Sequence, residues 1–222
     1  SQIELRIIAD FSGDTEMIKA FKEEKDIHST TASKVYNVDI NDVTKDMRRR
    51  AKEVNFGIIY GISPFGLSQN LNIPRAEAKE IIDSYFNQFK NVKKYMDNSI
   101  ELAREKKYVS TILGRRRYLR DIDSRNYTLR SFAERNAINT PIQGSAADII
   151  KLAMIKIYNW IKKNNLKSRM IMQVHDELVF ECPKNNADTV MEKMKDTMEQ
   201  TVKLNIPLIA EAAIGLNWNE AH

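Results

Sequence analysis

Apolar residues recur at helical spacing over most of the chain and alternate only in short stretches, most of them toward its C-terminal half. Between Glu4 and Phe21 they fall at Leu5, Ile8, Ala9, Met17, Ile18 and Phe21, with Ser12-Gly13-Asp14 interrupting. That predicts two short helices, the second capped by Ser12 or Asp14. Another helix starts at Asp26-Ile27-His28-Ser29 and reaches Val35, and Asn37-Val38-Asp39 makes a turn. Thr44 or Asp46 caps a further helix running to about Ile59. Gly57 lies inside that helix and weakens it, which makes sense where something flat must approach the backbone. Past the break at 61–66, helices are expected over 65–70, from Pro74 through 76–86, and over 91–105. Residues 108–112 read as a strand, and 115–118 as a turn or a second strand. Residues 126–139 are helical, Pro141 breaks or kinks the helix, and 143–148 lead into a long helix ending near Lys163. Strands at 170–174 and 177–181 form a hairpin about the tight turn His175-Asp176, followed by a helix over 187–202 and a last strand over 207–214. The expected class is α+β, mostly helical, with a small antiparallel sheet drawn from the C-terminal half.

The composition suits a globular fold. Of 222 residues, 42% are hydrophobic, enough for a sizeable core, and 29% are charged. The net charge is +5, but it is concentrated: residues 104–135 carry ten Arg or Lys against four acids, more than the whole excess. A local basic stretch of that kind suits a surface that meets polyphosphate, whereas a solubilising loop would be better served by mixed charge. Cys182 is the one cysteine, so no internal disulfide forms and a reducing compartment is expected. Neither a signal-peptide pattern nor a membrane-length apolar run is seen, so a soluble, cytoplasmic protein with no membrane partner is expected. The chain opens without Met and inside an element, as a piece of a longer protein would.

Two stretches carry candidate chemistry. In 48–61, Arg48, Lys52, Phe56 and Tyr60 recur every four residues, a row of roughly 18 Å along one helix face. Two cations stand at the N-terminal end, where the helix dipole also favours anions, and two rings follow. That order suits a phosphate tail with a planar head, such as a nucleoside triphosphate. A solvated basic turn followed by a core stripe would account equally well for the row in isolation. In 173–180, Asp176 and Glu177 sit at a hairpin tip between apolar strands. A carboxylate held there suits Mg²⁺, which takes one or two carboxylates plus substrate phosphates, although Asp is also common in plain turns.

Taken together, Ser-Gln-Ile-Glu-Leu-Arg at 1–6, Arg-Arg-Arg-Ala-Lys-Glu-Val-Asn-Phe-Gly-Ile-Ile-Tyr-Gly at 48–61 and Gln-Val-His-Asp-Glu-Leu-Val-Phe at 173–180 resemble the three polymerase motifs of the family A DNA polymerases. Arg-Asn-Ala-Ile-Asn-Thr-Pro-Ile-Gln-Gly at 135–144 and the closing Asn-Trp-Asn-Glu-Ala-His look like that family as well. The resemblance covers nearly the whole chain.

It implies a right-hand polymerase, with 1–27 a palm segment, 28–113 the fingers and 114–222 palm. Arg48 and Lys52 would hold the triphosphate of the incoming deoxynucleotide, joined by His28. Phe56 would pack on its sugar and base, and Tyr60 would lie near the templating position. Glu4 would exclude a 2′-hydroxyl, with Gln2 close by. Arg135, Asn139, Gln143 and His175 would line the minor groove of the primer–template DNA. Asp176 would bind catalytic Mg²⁺ in a two-metal site, with Glu177 an auxiliary acid. The implied activity is DNA-directed DNA synthesis, a nucleotidyl transfer serving replication and repair. In the family an Asp two residues upstream of the first motif bridges both metals, and this chain starts after it. Asp10, in Ala-Asp-Phe-Ser, lies beyond the motif and reads as a surface residue. The metal site of 1–222 is therefore expected to be incomplete and the isolated chain inactive. Self-association through exposed palm surface is also expected. A non-catalytic nucleic-acid-binding module would use the basic stretch alone. A single-subunit RNA polymerase shares the hand, but Glu4 and Phe56 favour deoxynucleotides. Neither alternative accounts for all five segments.

Overall fold

The computed structural model describes residues 2–221. Helix α1 (Ile3–Ser12) runs through the centre of the molecule; Leu5, Ile7, Ile8 and Ala9 are fully buried. Helices α2 (Thr15–Lys22), α3 (Ile27–Tyr36) and α4 (Lys45–Ile59) follow. Each begins on a side-chain cap that satisfies an otherwise unpaired backbone N–H. Asp14 accepts from Met17 N, Asp26 from His28 N and Thr44 from Met47 N. Asp14 also accepts from Asn91 N at 3.0 Å, which ties α2 to a helix 77 positions away. Next come α5 (Pro64–Leu71), opened by Ser63 with Pro64 in the first turn, α6 (Arg75–Gln88) and α7 (Lys90–Lys106).

Strands β1 (Tyr108–Ser110) and β2 (Arg116–Tyr118) pair antiparallel, so the stretch at 115–118 is a second strand. Helix α8 (Tyr127–Lys163) then runs 37 residues without a break. Pro141, expected to break or kink it, is instead buried inside it between Ile138 and Ile142, which pack into the main core. That packing offsets the hydrogen bond proline cannot make. Strands β3 (Arg169–Val174) and β4 (Glu177–Glu181) form the second hairpin, with a register irregularity between Met170 and Met172. Helices α9 (Ala187–Glu199) and α10 (Trp218–Ala221) complete the order.

The strand expected over 207–214 does not form. Among the described residues no strand pairs with it. The segment is held instead by side chains: Arg6 Nη1 donates to Pro207 O at 2.7 Å, and Ala210 N donates to Glu199 Oε1 at 2.9 Å. Beside Gly57 lies the Ile62 side chain, 3.4 Å from where a Cβ would stand, in place of the flat ligand anticipated there.

The main core joins α1, α2, α4, α6 and α7 to the middle of α8. A second cluster, with Val109, Leu119, Ala133 and Ala137, sits beneath the β1–β2 hairpin. A third, with Ile157, Ile161, Val190 and Met194, backs the β3–β4 hairpin. Both hairpins are thereby seated on α8. The mostly helical α+β expectation holds, with two small two-stranded sheets rather than one.

Candidate functional site

The row on α4 forms as its spacing dictates. Arg48 and Lys52 are exposed, and Phe56 and Tyr60 half-buried. The rings of Phe56 and Tyr60 lie with centroids 6.0 Å apart, and the His28 ring lies 6.0 Å from Phe56 on its other side. Phe56 and Tyr60 rest on the main core, so one flank of each ring is fixed and the other is available. Arg48 pairs through Nε with Asp26 Oδ2, linking the N-terminal end of α3 to the first turns of α4. Burial opposes ionisation of Asp26, but the hydrogen bonds from Arg48 and Ser29 outweigh it and hold the carboxyl below its ordinary range.

His28 is 2% exposed. Its Nδ1 faces Asn55 Nδ2 at 2.9 Å, and Asn55 Oδ1 accepts from Thr31 Oγ1 at 2.8 Å. With the Asn55 amide donating, Nδ1 is the acceptor and the ring is neutral. Burial, then the nearby Arg48 and Lys52, pull the imidazole down to about 4 against the opposing effect of Asp26. The ring is therefore an uncharged, buried group within range of the Arg48 and Lys52 charges.

A second group forms where α1 begins. Glu4 is half-buried, and its carboxyl is raised by burial and then by the charge of Asp176. The start of α1 and the tip of the β3–β4 hairpin are thus neighbours despite the chain between them. Asp176 is half-buried, and no described side chain pairs with its carboxylate. Two acids with no described cation between them form a local excess of negative charge, which a divalent cation fits. Among the described residues no three His, Cys, Asp or Glu side chains converge as a ready cage. Glu177 turns away from this point and accepts from Trp218 Nε1 at 2.6 Å. His175 sits at φ 51° in the turn, exposed. Gln2 precedes α1 and accepts from Arg6 Nη2 at 3.2 Å.

Arg135, Asn139 and Gln143 make a third group, four residues apart on one face of α8. Arg135 meets the end of α4: a Cβ on Gly61 would lie 3.5 Å from Arg135 Cγ. This contact joins the α8 row to the α4 row. Asn139 Oδ1 is buried without a hydrogen-bond partner among the described residues, an acceptor held ready for a donor. Beside this row Asp148, 4% exposed, accepts from Arg115 Nε at 2.5 Å and from Thr111 Oγ1, fixing the basic β1–β2 hairpin to α8.

The site residues singled out in the sequence that the structure describes fall into three groups, of which the α4 row and the α8 row meet where Arg135 approaches Gly61. Asp26, Trp218 and Asp148 were not singled out. Asp26 was legible as a helix start, but its partner stands 22 positions on; the Trp218–Glu177 and Asp148–Arg115 pairs span 41 and 33. No local pattern signals such pairs.

The family model "DNA polymerase family A" matches residues 1–220. The chain is 54% identical over 220 residues to DNA polymerase I of Caldicellulosiruptor bescii, covering 99% of this chain and 26% of that protein. It is 52% identical to DNA polymerase I of Geobacillus stearothermophilus, covering 100% of this chain and 25% of the relative. The chain thus spans about a quarter of the length of the curated relatives it matches. A solved structure described as the POL domain of Pol1 from M. smegmatis in complex with DNA primer-template and dNTP aligns with a TM-score of 0.95 at 44% identity, over 100% of this chain and 39% of that one.

Proposed function

Because the chain belongs to the family A DNA polymerases, we propose that it forms the nucleotide- and primer-template-binding part of a DNA polymerase I, which copies a DNA template from deoxynucleoside triphosphates in replication and repair. The observation that carries this reading is the α4 face itself, which presents Arg48 and Lys52 and then the Phe56 and Tyr60 rings; the Glu4 carboxyl, raised by burial and by the charge of Asp176 from a motif far away in sequence, supports it.

In this reading Arg48 and Lys52 take the triphosphate, and their fixed charge stabilises what develops on it in the transition state. Phe56 packs on the sugar and base, and Tyr60 borders the templating position. Glu4 fills the space beside the sugar, where a 2′-hydroxyl would clash, and Gln2 lies close by. Arg135, Asn139, Gln143 and His175 follow the minor groove of the primer–template. Asp176 would hold Mg²⁺, and a two-metal site of that kind would supply positive charge at the triphosphate and leaving pyrophosphate and lower the pKa of the primer 3′-hydroxyl. Glu177 serves as an auxiliary acid from its place against Trp218. His28 would join the phosphate contact through the Nε2–H, the ring nitrogen that Asn55 leaves unused. Residues 28–113 act as fingers, with 1–27 and 114–222 as palm; inward rotation of α4 closes the site. The boundary at 113 falls in the turn between β1 and β2.

Residues 1–222 on their own are proposed to be inactive, because Asp176 alone does not complete a two-metal acid set. Primer extension by purified 1–222 with Mg²⁺ is expected to match a no-protein control; template-directed incorporation above it would reject this. The binding reading is tested separately. With primer–template and Mg²⁺, the complementary deoxynucleotide should bind more tightly than the mismatched ones. Arg48→Ala and Lys52→Ala should each weaken that binding by roughly tenfold or more, as expected for a lost charge-assisted phosphate contact. Equal affinity for all four nucleotides, or indifference to both substitutions, would overturn it.

A further inference from the structure

Asp26 has been assigned no part in the reaction so far. Its carboxylate is at the junction of two elements. One oxygen, Oδ1, accepts from His28 N at 3.0 Å, which caps α3. The other, Oδ2, accepts from Ser29 Oγ at 2.8 Å and from Arg48 Nε. These three hydrogen bonds together hold it in one geometry. Arg48 meets it only at Nε. Neither Nη group of Arg48 has a hydrogen-bond partner among the described residues, and the side chain is 45% exposed. A guanidinium has two usable edges, and the one formed by the two terminal nitrogens matches two oxygens of a phosphate. An arginine anchored by Nε presents that fork in a fixed direction. His28, whose backbone N–H the same carboxylate accepts, is itself buried and fixed by Asn55 and Thr31, so the clamp stands on a rigid base.

We propose that Asp26 is a positioning residue for triphosphate recognition: it clamps Arg48 by Nε so that the terminal-nitrogen fork of that arginine is already aimed at the phosphates before the nucleotide arrives. This rests on the reading that the α4 face holds a triphosphate. The role differs from that of a competitor. A carboxylate occupying the terminal nitrogens would have to be displaced by the phosphate, and its removal would tighten binding. A clamp on Nε stays in place when the nucleotide binds, and its removal loosens binding through lost preorganisation.

Asp26→Asn separates the two jobs of the residue, since asparagine caps helices as well as aspartate but carries no charge for the guanidinium. The experiment measures binding of a complementary deoxynucleoside triphosphate to the 1–222 chain with primer–template and Mg²⁺, for the parent chain and for Asp26→Asn, Arg48→Ala, Arg48→Lys and Asp26→Asn with Arg48→Lys. Far-ultraviolet circular dichroism and the melting temperature report whether each variant is folded. Asp26→Asn is expected to keep both close to the parent values and to weaken binding roughly three- to tenfold, less than loss of Arg48 itself, because the phosphate contact remains and only its preorganisation is lost. Arg48→Lys, which has no Nε to clamp, is expected to be weakened already, and adding Asp26→Asn to it should change little. Asp26→Glu, which restores the charge, should recover part of the loss. If Arg48→Ala weakens binding while Asp26→Asn leaves it unchanged or tighter, the clamp is wrong and the triphosphate reading stands. Full additivity of Asp26→Asn with Arg48→Lys would also reject the clamp. If Arg48→Ala has no effect, the triphosphate reading itself fails and the clamp with it.

Discussion

Gly144 is the residue at which the fit between α8 and the β1–β2 hairpin is tightest. A Cβ there would lie 2.5 Å from Thr111 Cγ2, a separation real side chains do not tolerate. Gly144→Ala is therefore expected to destabilise the chain by about 1–3 kcal/mol. Thr111→Ser removes the offending methyl and keeps the hydroxyl that donates to Asp148, so the double variant should regain most of that loss in a urea titration. A neutral Gly144→Ala would contradict the close approach. His28 gives a second expectation. Its folded value is depressed to about 4 from the ordinary 6.5, so between those values the unfolded chain binds the extra proton. Stability from this group is present above about 6.5 and is lost as the pH falls toward 4, by about 3 kcal/mol at most. Urea midpoints measured between pH 7 and 4 should fall, and His28→Asn should flatten that slope. An unchanged slope would reject the buried neutral ring. At this scale the sequence was legible where side chains recur at one spacing: Arg48, Lys52, Phe56 and Tyr60 are read from a four-residue period. It was silent on the partners of Asp26 and Asp148, which are distant in the chain.

Among the elements, the caps carried much of the legible signal. Asp14, Asp26, Thr44, Ser63 and Asn126 each stand where a helix begins and accept its free N–H groups. Pro141 and the segment 207–214 misled, for opposite reasons. Local chemistry makes proline a helix breaker, but Ile138 and Ile142 on either side of Pro141 bury it in the main core, and Ser145 Oγ donates to its carbonyl at 2.5 Å. The alternating apolar pattern at 207–214 suits a strand, but a strand needs a neighbour, and none pairs with it among the described residues. Tertiary context decided both. The seating of the first hairpin on α8 is the element-scale feature that depends most on one side chain. Asp148→Ala leaves Arg115 and Thr111 without their acceptor. The expected loss is about 2 kcal/mol, moderated because Arg115 is more than half exposed. Hydrogen exchange should show faster amide exchange at 108–118 while α1 and α2 stay protected. Unchanged exchange in the hairpin would mean that the second apolar cluster alone holds it.

Across the whole molecule, the central α1 and the long α8 act as the frame on which the α4 row, the β3–β4 hairpin and the row of Arg135, Asn139 and Gln143 are mounted. The basic stretch at 104–135 lies along the first hairpin and the start of α8, next to the row of Arg135, Asn139 and Gln143. Among the described residues no helix is long and apolar enough to cross a membrane. The exposed side of the second hairpin bears Ile171 at 55% exposure and Met172 at 37%, and Leu216 further on is 90% exposed. Both strands of that hairpin also have an open edge. Concentration-dependent self-association is therefore expected in light scattering, and Ile171→Lys should reduce it; a monodisperse monomer at high concentration would contradict this. The central claim is that one nucleotide lies between the α4 row and the acid-bearing tip. The most direct test replaces Mg²⁺ by paramagnetic Mn²⁺ and follows backbone amide signals of 1–222 with primer–template and the complementary deoxynucleoside triphosphate. The account predicts broadening at Asp176 and Glu177 together with Arg48 and Lys52, in one saturable titration. Broadening confined to one of these two pairs, with the other sharp throughout, would contradict it.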